Sequence, residues 1–153
     1  MNFIKQLYSR LVCTLNWISP VGDLVIRLWV AKVFFASGLA KIQNWEGTLY
    51  LFENEYKVPL LPPLFAAYSG TATELIFPIL LAIGLATRPT ALVLFVFNII
   101  AVVSYGDLGE VGLKDHQHWG LLLLVPLLHG PGKLSIDYLL SKKFGGTNKT
   151  TYH

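Results

Sequence analysis

Residues 113–137, LKDHQHWGLLLLVPLLHGPGKLSID, decide how this chain is read. A polar group, Lys114, Asp115, His116 and His118, opens the stretch. An apolar block interrupted only by Pro126 follows, and His129-Gly130-Pro131-Gly132 ends it. As a helix, the about 17 residues between Asp115 and Pro131 extend roughly 26 Å, barely enough to cross a hydrocarbon core. The strictly apolar part, residues 119–128, covers only half of that core. The two histidines therefore stand at the outer membrane surface or are drawn a short way into the bilayer.

Composition points the same way. Of 153 residues, 54% are hydrophobic and 14% are charged, and the mean hydropathy is +0.54. Soluble domains carry about one quarter charged residues, so the bilayer is the expected solvent. The net charge of +3 includes no basic run, which argues against nucleic acid as a partner. The single cysteine, Cys13, excludes an internal disulfide, a thiol redox pair and a cysteine metal cluster. Redox chemistry in this chain needs a bound cofactor or substrate.

Outward from the opening stretch, three further spans are expected at residues 24–42, 69–86 and 90–105. Residues 1–21 read as an amphipathic segment on the cytoplasmic surface, ended by a break at Pro20-Val21-Gly22-Asp23. Residues 43–68 hold Glu46, Glu53 and Glu55 and then Pro59, Pro62 and Pro63. They predict a short amphipathic helix and a proline-rich outer loop. An acidic loop is expected over 106–114, and a polar tail, frayed at its end, from 133 with its last part over 141–153. The expected fold is all-α: an integral membrane four-helix bundle filling residues 22–140.

Charge orients it. Lys5, Arg10, Arg88, Lys133, Lys142, Lys143 and Lys149 fall on one side of such a bundle; Glu46, Glu53, Glu55, Asp107, Glu110 and Asp115 fall on the other. The positive-inside rule places both termini in the cytoplasm. Trp17, Trp29, Trp45 and Trp119, with Tyr8, Tyr50, Tyr56, Tyr68 and Tyr105, lie near the expected boundaries as an aromatic belt.

Polar groups inside the spans are the site candidates: Arg27, Lys32, Lys41, Glu74 and Asn98. Arg27 and Lys41 stand near opposite ends of the first span, whereas Lys32 is near its middle, where a charge costs about 2.5–3.5 kcal/mol on insertion scales. If the second helix starts at Tyr68, Glu74 and Lys32 differ by about 6 Å in depth, within reach of each other. An ion pair of Glu74 with Lys32 or Arg27 is expected; snorkelling of Lys32 and a proton- or substrate-handling Glu74 are the alternatives. Arg27, Phe34, Gly38 and Lys41 share one face of the first helix, and Ser37 with Gly38 allows close approach of a neighbour. Asn98 reads as an interhelical hydrogen-bonding residue. Asp115, His116 and His118 are metal-ligand candidates, although the two histidines would lie about 200° apart on a helix. His129 is about 16 Å away and cannot join them. Haem held by two histidines lacks a second histidine in the other spans.

Three stretches together resemble a known family. Arg27 leading to residues 37–41, SGLAK, resembles the opening R…SGLxK motif of DoxX-like membrane proteins. Glu74 leading to residues 82–88, AIGLATR, is similar to the second-helix pattern E…LxxGLxTR. Residues 130–137, GPGKLSID, resemble the closing GPGxLSxD. The resemblance spans residues 22–140 and implies a four-helix integral membrane protein. Arg27, Lys41, Glu74 and Arg88 match the family's polar positions; Lys32 and the histidine pair depart from its pattern. The family takes its name from a subunit of a thiosulfate:quinone oxidoreductase. The resemblance thus implies an accessory or quinone-interacting subunit of an oxidoreductase system in the inner (plasma) membrane. Its partners would be lipid and either another protein or a second copy, with quinone expected ahead of metal or haem. The residues also leave open a non-enzymatic carrier or buffer of a small solute or metal, along Asp115, His116, His118, Lys32 and Glu74, and a membrane scaffold.

Overall fold

The computed structural model describes residues 2–106 and 108–144; Asp107, Lys149 and the rest of the tail beyond Phe144 lie outside them. The regular elements are all α-helices: α1 (Asn2–Gln43), α2 (Trp45–Asn54), α3 (Pro63–Ile83), α4 (Thr87–Ser104), α5 (Gly109–His129) and α6 (Ile136–Phe144).

The first helix differs from expectation. No break occurs at residues 20–23; α1 runs unbroken for 42 residues, roughly 63 Å. Pro20 lacks an N–H, but the carbonyl that it would have bonded belongs to the exposed Asn16, where water can serve it. The half of α1 before Pro20 packs on almost nothing, leaving Phe3, Leu7, Leu11, Leu15 and Trp17 exposed. The expected loop over 106–114 is also shorter, because α5 already starts at Gly109. The tail is not wholly irregular either. Residues 136–144 form α6, whose first turn is capped by Ser135 Oγ, accepting from the Tyr138 N–H at 3.2 Å.

Helices α1, α3, α4 and α5 share one core. Val30 and Phe34 come from α1, Leu81 from α3, Ala91 and Leu94 from α4, and Leu123 from α5. Phe34 meets the rings of Phe97 and Trp119 edge-on at 6.4 and 6.3 Å. Helix α1 packs on α3 and α5, and α4 packs on the same two. A second cluster, Phe52 with Ala66 and Ala67, fastens α2 onto α3. Helix α2 is begun by Asn44, whose side-chain oxygen accepts from the Gly47 N–H at 3.1 Å. The chain then crosses to the far end of α4. There the Lys57 N–H donates to the Ser104 carbonyl at 2.8 Å, and the rings of Tyr56 and Tyr105 meet at 5.0 Å.

Polarity is distributed as in a protein solvated by lipid. Ile76, Ile79, Val96, Ile99 and Val103 are exposed, while Arg27, Thr71, Glu74, Thr90 and Asn98 are buried. Helices α3 and α4 are each long and apolar enough to cross a membrane.

Candidate functional site

Two polar constellations lie at opposite ends of the α1–α3 interface. The first begins with Gly38. A Cβ there would come within 3.0 Å of Glu74 Cβ and of the Leu75 side chain, so glycine permits the two helices to touch. That contact sets the register and brings Glu74 level with Ser37 and Lys41. Lys41 Nζ lies 2.5 Å from Glu74 Oε2 and donates to Ser37 Oγ at 3.0 Å; Ser37 Oγ donates to Glu74 Oε1 at 3.0 Å. Both carboxylate oxygens are thus engaged, in side chains only 18% and 7% exposed for Lys41 and Glu74. The Lys41 carbonyl also accepts from Thr48 Oγ1 at 3.1 Å, tying α2 to the pair.

Neither Lys32 nor Arg27 is the partner of Glu74. Helix α3 starts at Pro63 rather than Tyr68, which puts Glu74 about 16 Å from that helix end. Its level on α1 is then that of Lys41. Lys32 is exposed on the outward side of α1.

Beside the ion pair lies a cavity of about 230 Å³ between α1, α3, α4, α5 and the segment after α2. Lys41 and Glu74 form one part of its wall; Tyr56, Phe97, Tyr105 and His116 form much of the rest. His116 is fixed from outside the cavity. Its Nδ1 is 2.7 Å from Asn98 Oδ1, and Asn98 Nδ2 donates to the His116 carbonyl at 2.9 Å. The expected bonding role of Asn98 is therefore met, with a histidine as its partner. Asp115 and His118 are exposed and do not join His116. Among the described residues no three His, Cys, Asp or Glu side chains gather as a metal site.

The second constellation centres on Arg27, which is 1% exposed. Its guanidinium donates to the carbonyls of Leu81 at 3.3 Å, Ala82 at 3.4 Å and Leu134 at 2.5 Å. The first two belong to the last turn of α3, where helices need an outside donor; the Leu81 carbonyl also accepts from the Gly84 N–H at 3.2 Å. Gly84, at φ +71°, closes α3 and lies against Arg27 and Ser135, so closely that a Cβ would overlap both. Ala86 begins α4 with no side chain able to cap it. Asp137 does so instead, accepting from the Ala86 and Thr87 N–H groups at 2.8 Å each. Arg88 Nη2 donates to the Leu128 carbonyl at 3.4 Å, and Gly132 fits beside Asp23. Most donors here are spent on the chain itself; Arg27 Nε and Thr87 Oγ1 are buried without a partner among the described residues. This end is a fastening, and the cavity end is where polar groups face open space.

Comparison with known proteins bears on these motifs. The DoxX family model matches residues 22–106, which include Arg27, the SGLAK stretch, Glu74 and Arg88. This chain belongs to the DoxX family. A second model, "TQO small subunit DoxD", matches residues 68–152. An uncharacterized Haemophilus influenzae protein is 34% identical over 135 residues, covering 82% of this chain and 87% of its own. "Putative oxidoreductase CatD" of Bacillus subtilis is 37% identical over 125 residues, 80% of this chain and 89% of its own. "Inner membrane protein YphA" of Escherichia coli is 32% identical over 130 residues, 77% and 89% respectively. No solved structure matches the chain. As a DoxX-family membrane protein, the chain uses its family motifs in two ways. Arg27, GLATR and GPGKLSID build the fastening, whereas SGLAK and Glu74 build the ion pair.

Sequence reasoning missed several residues at both ends. Ser37 was read only as a small residue, although its spacing of four from Lys41 is a helical neighbour's spacing. Tyr56 and Tyr105 read as belt aromatics, and Asp137 as part of a polar exit. The contacts that redefine these three reach far along the chain, and no local signal carries them.

Proposed function

We propose that this DoxX-family protein is a quinone-interacting accessory subunit of an oxidoreductase system in the inner (plasma) membrane. In this reading α3, α4, α5 and the part of α1 after residue 22 cross the bilayer as a four-helix bundle with both termini cytoplasmic. Residues 1–21 form the amphipathic segment, residues 22–140 the membrane domain and 141–153 the polar tail. The Arg27 end then faces the cytoplasm with Arg88, Lys133, Lys142 and Lys143, in keeping with the positive-inside rule.

One observation carries the functional reading: the Lys41–Glu74 pair is set into an apolar cavity walled by Phe97, Tyr56 and Tyr105. Small-molecule sites have this character, mostly apolar walls with a few placed polar groups. A flat ring carrying oxygens would use the walls for its faces and the Lys41 ammonium for an oxygen. The matches to "TQO small subunit DoxD" and to "Putative oxidoreductase CatD" support this reading. The family's assembly as a small subunit also favours a protein partner.

Quinone content tests this. Protein purified in lipid nanodiscs should carry close to one quinone per chain by chromatography of the extract, and Lys41→Met should carry far less. Wild-type protein without quinone, and without response to added duroquinone, would remove the proposal.

A further inference from the structure

The arrangement around His116 goes further, resting on the quinone reading above and adding the redox form that the cavity selects. Asn98 Nδ2 is committed to the His116 carbonyl, so Asn98 Oδ1 is the atom that faces the ring. An amide oxygen only accepts. The ring proton therefore sits on Nδ1, and the neutral imidazole keeps a lone pair on Nε2. None of the hydrogen bonds among the described residues engages Nε2. Asn98 does not line the cavity; it backs His116 from a groove between α4 and α5, while His116 lines both spaces. The Trp119 ring, 4.8 Å away, holds the imidazole from a further side.

A ligand in this cavity meets the charged donor Lys41, the Tyr56 and Tyr105 hydroxyls, which donate or accept, and His116, whose Nε2 only accepts. A quinone offers two acceptor carbonyls. It satisfies Lys41 and faces the lone pair of Nε2 with another lone pair. A hydroquinone offers hydroxyls, which both accept and donate: one oxygen accepts from Lys41, and the other hydroxyl donates to His116 Nε2. The volume of about 230 Å³ bounds the ring system. A cavity of about 150 Å³ holds benzene, so one substituted ring or two fused rings fit. We propose that the cavity binds hydroquinones in preference to quinones, with His116 Nε2 accepting the ring hydroxyl and Asn98 acting as the positioning residue that fixes the tautomer. No electron transfer within the chain is involved; the selection acts on binding alone.

The test is calorimetric titration of the full-length protein in nanodiscs, under argon, with duroquinone and with durohydroquinone. An unmatched polar contact of this kind is worth about tenfold, so the hydroquinone should bind about tenfold more tightly. That ratio corresponds to a bound couple raised by about 30 mV in midpoint potential. His116→Phe should bring the two affinities within about twofold, mainly by weakening durohydroquinone, whereas a purely structural role for His116 would weaken both forms in parallel and keep their ratio. Asn98→Leu, which frees the tautomer, should lower the ratio without abolishing duroquinone binding. Equal affinities in the wild type, or a ratio that survives His116→Phe, would overturn the inference and leave the quinone reading intact. Binding of neither form would overturn both.

Discussion

Lys41 and Glu74 meet across the α1–α3 interface at 2.5 Å, and Ser37 bonds both of them. The pair exists because Gly38 lets the helices touch at that level. Removing one member of a buried pair strands the other. Glu74→Gln and Lys41→Met are therefore each expected to destabilise the protein by about 3–5 kcal/mol, less whatever relief water gives the partly exposed Lys41. The double variant Lys41→Met/Glu74→Leu should recover much of that loss. Thermal unfolding in a mild detergent measures all three, and single variants as stable as the wild type would contradict the pairing.

Gly84 and Gly22 should respond to alanine with opposite signs. Gly84 adopts φ +71°, and the space for its Cβ is occupied by Arg27 and Ser135. Gly84→Ala is expected to cost about 1–3 kcal/mol from backbone strain, before any displacement of Arg27. Gly22 lies within α1 with nothing near its Cβ position. Gly22→Ala should stabilise by up to about 1 kcal/mol through helix propensity. Melting temperatures of the two variants side by side decide this.

Asp137 caps α4 from a distance of 50 residues along the chain. Asp137→Ala should cost about 0.5–2 kcal/mol, the usual worth of a helix cap. Hydrogen exchange adds a local reading, because the Ala86 and Thr87 amides should lose protection before the rest of α4. Unchanged exchange at both would mean that water replaces the carboxylate without loss.

The orientation proposed for the bundle can be read with thiols. Cys13 is exposed and is the chain's one cysteine. A membrane-impermeant maleimide should label it only when the cytoplasmic face is open, and should label a Glu53→Cys/Cys13→Ser variant only from the other face. Labelling of both positions from one side would overturn the four-span arrangement.

The helical architecture and the burial of Glu74 were legible because both follow from hydropathy along short windows. The partner of Glu74 was not, since it depends on where Gly38 sets the register and on α3 starting at Pro63 instead of Tyr68. Pro20 misled for a related reason. Proline signals a break, yet on an exposed turn it costs one hydrogen bond that water can replace, and α1 continues through it. His116 was visible as a polar residue near a helix start, but its sequence neighbours suggested a metal, whereas its structural partner is Asn98, 18 residues earlier. The fastening at Arg27 escaped notice as a unit because its parts come from α1, the α3–α4 turn and the segment before α6.

The central claim, a ring-binding cavity beside the Lys41–Glu74 pair, is tested most directly by photolabelling with an azidoquinone and mapping the modified peptides. Label is predicted on the cavity wall, at Tyr56, Phe97, Tyr105 or His116, displaced by excess duroquinone and greatly reduced in Lys41→Met. Label confined to the outward residues of α3 and α4, such as Ile76 or Val96, and not displaced by duroquinone, would contradict the account.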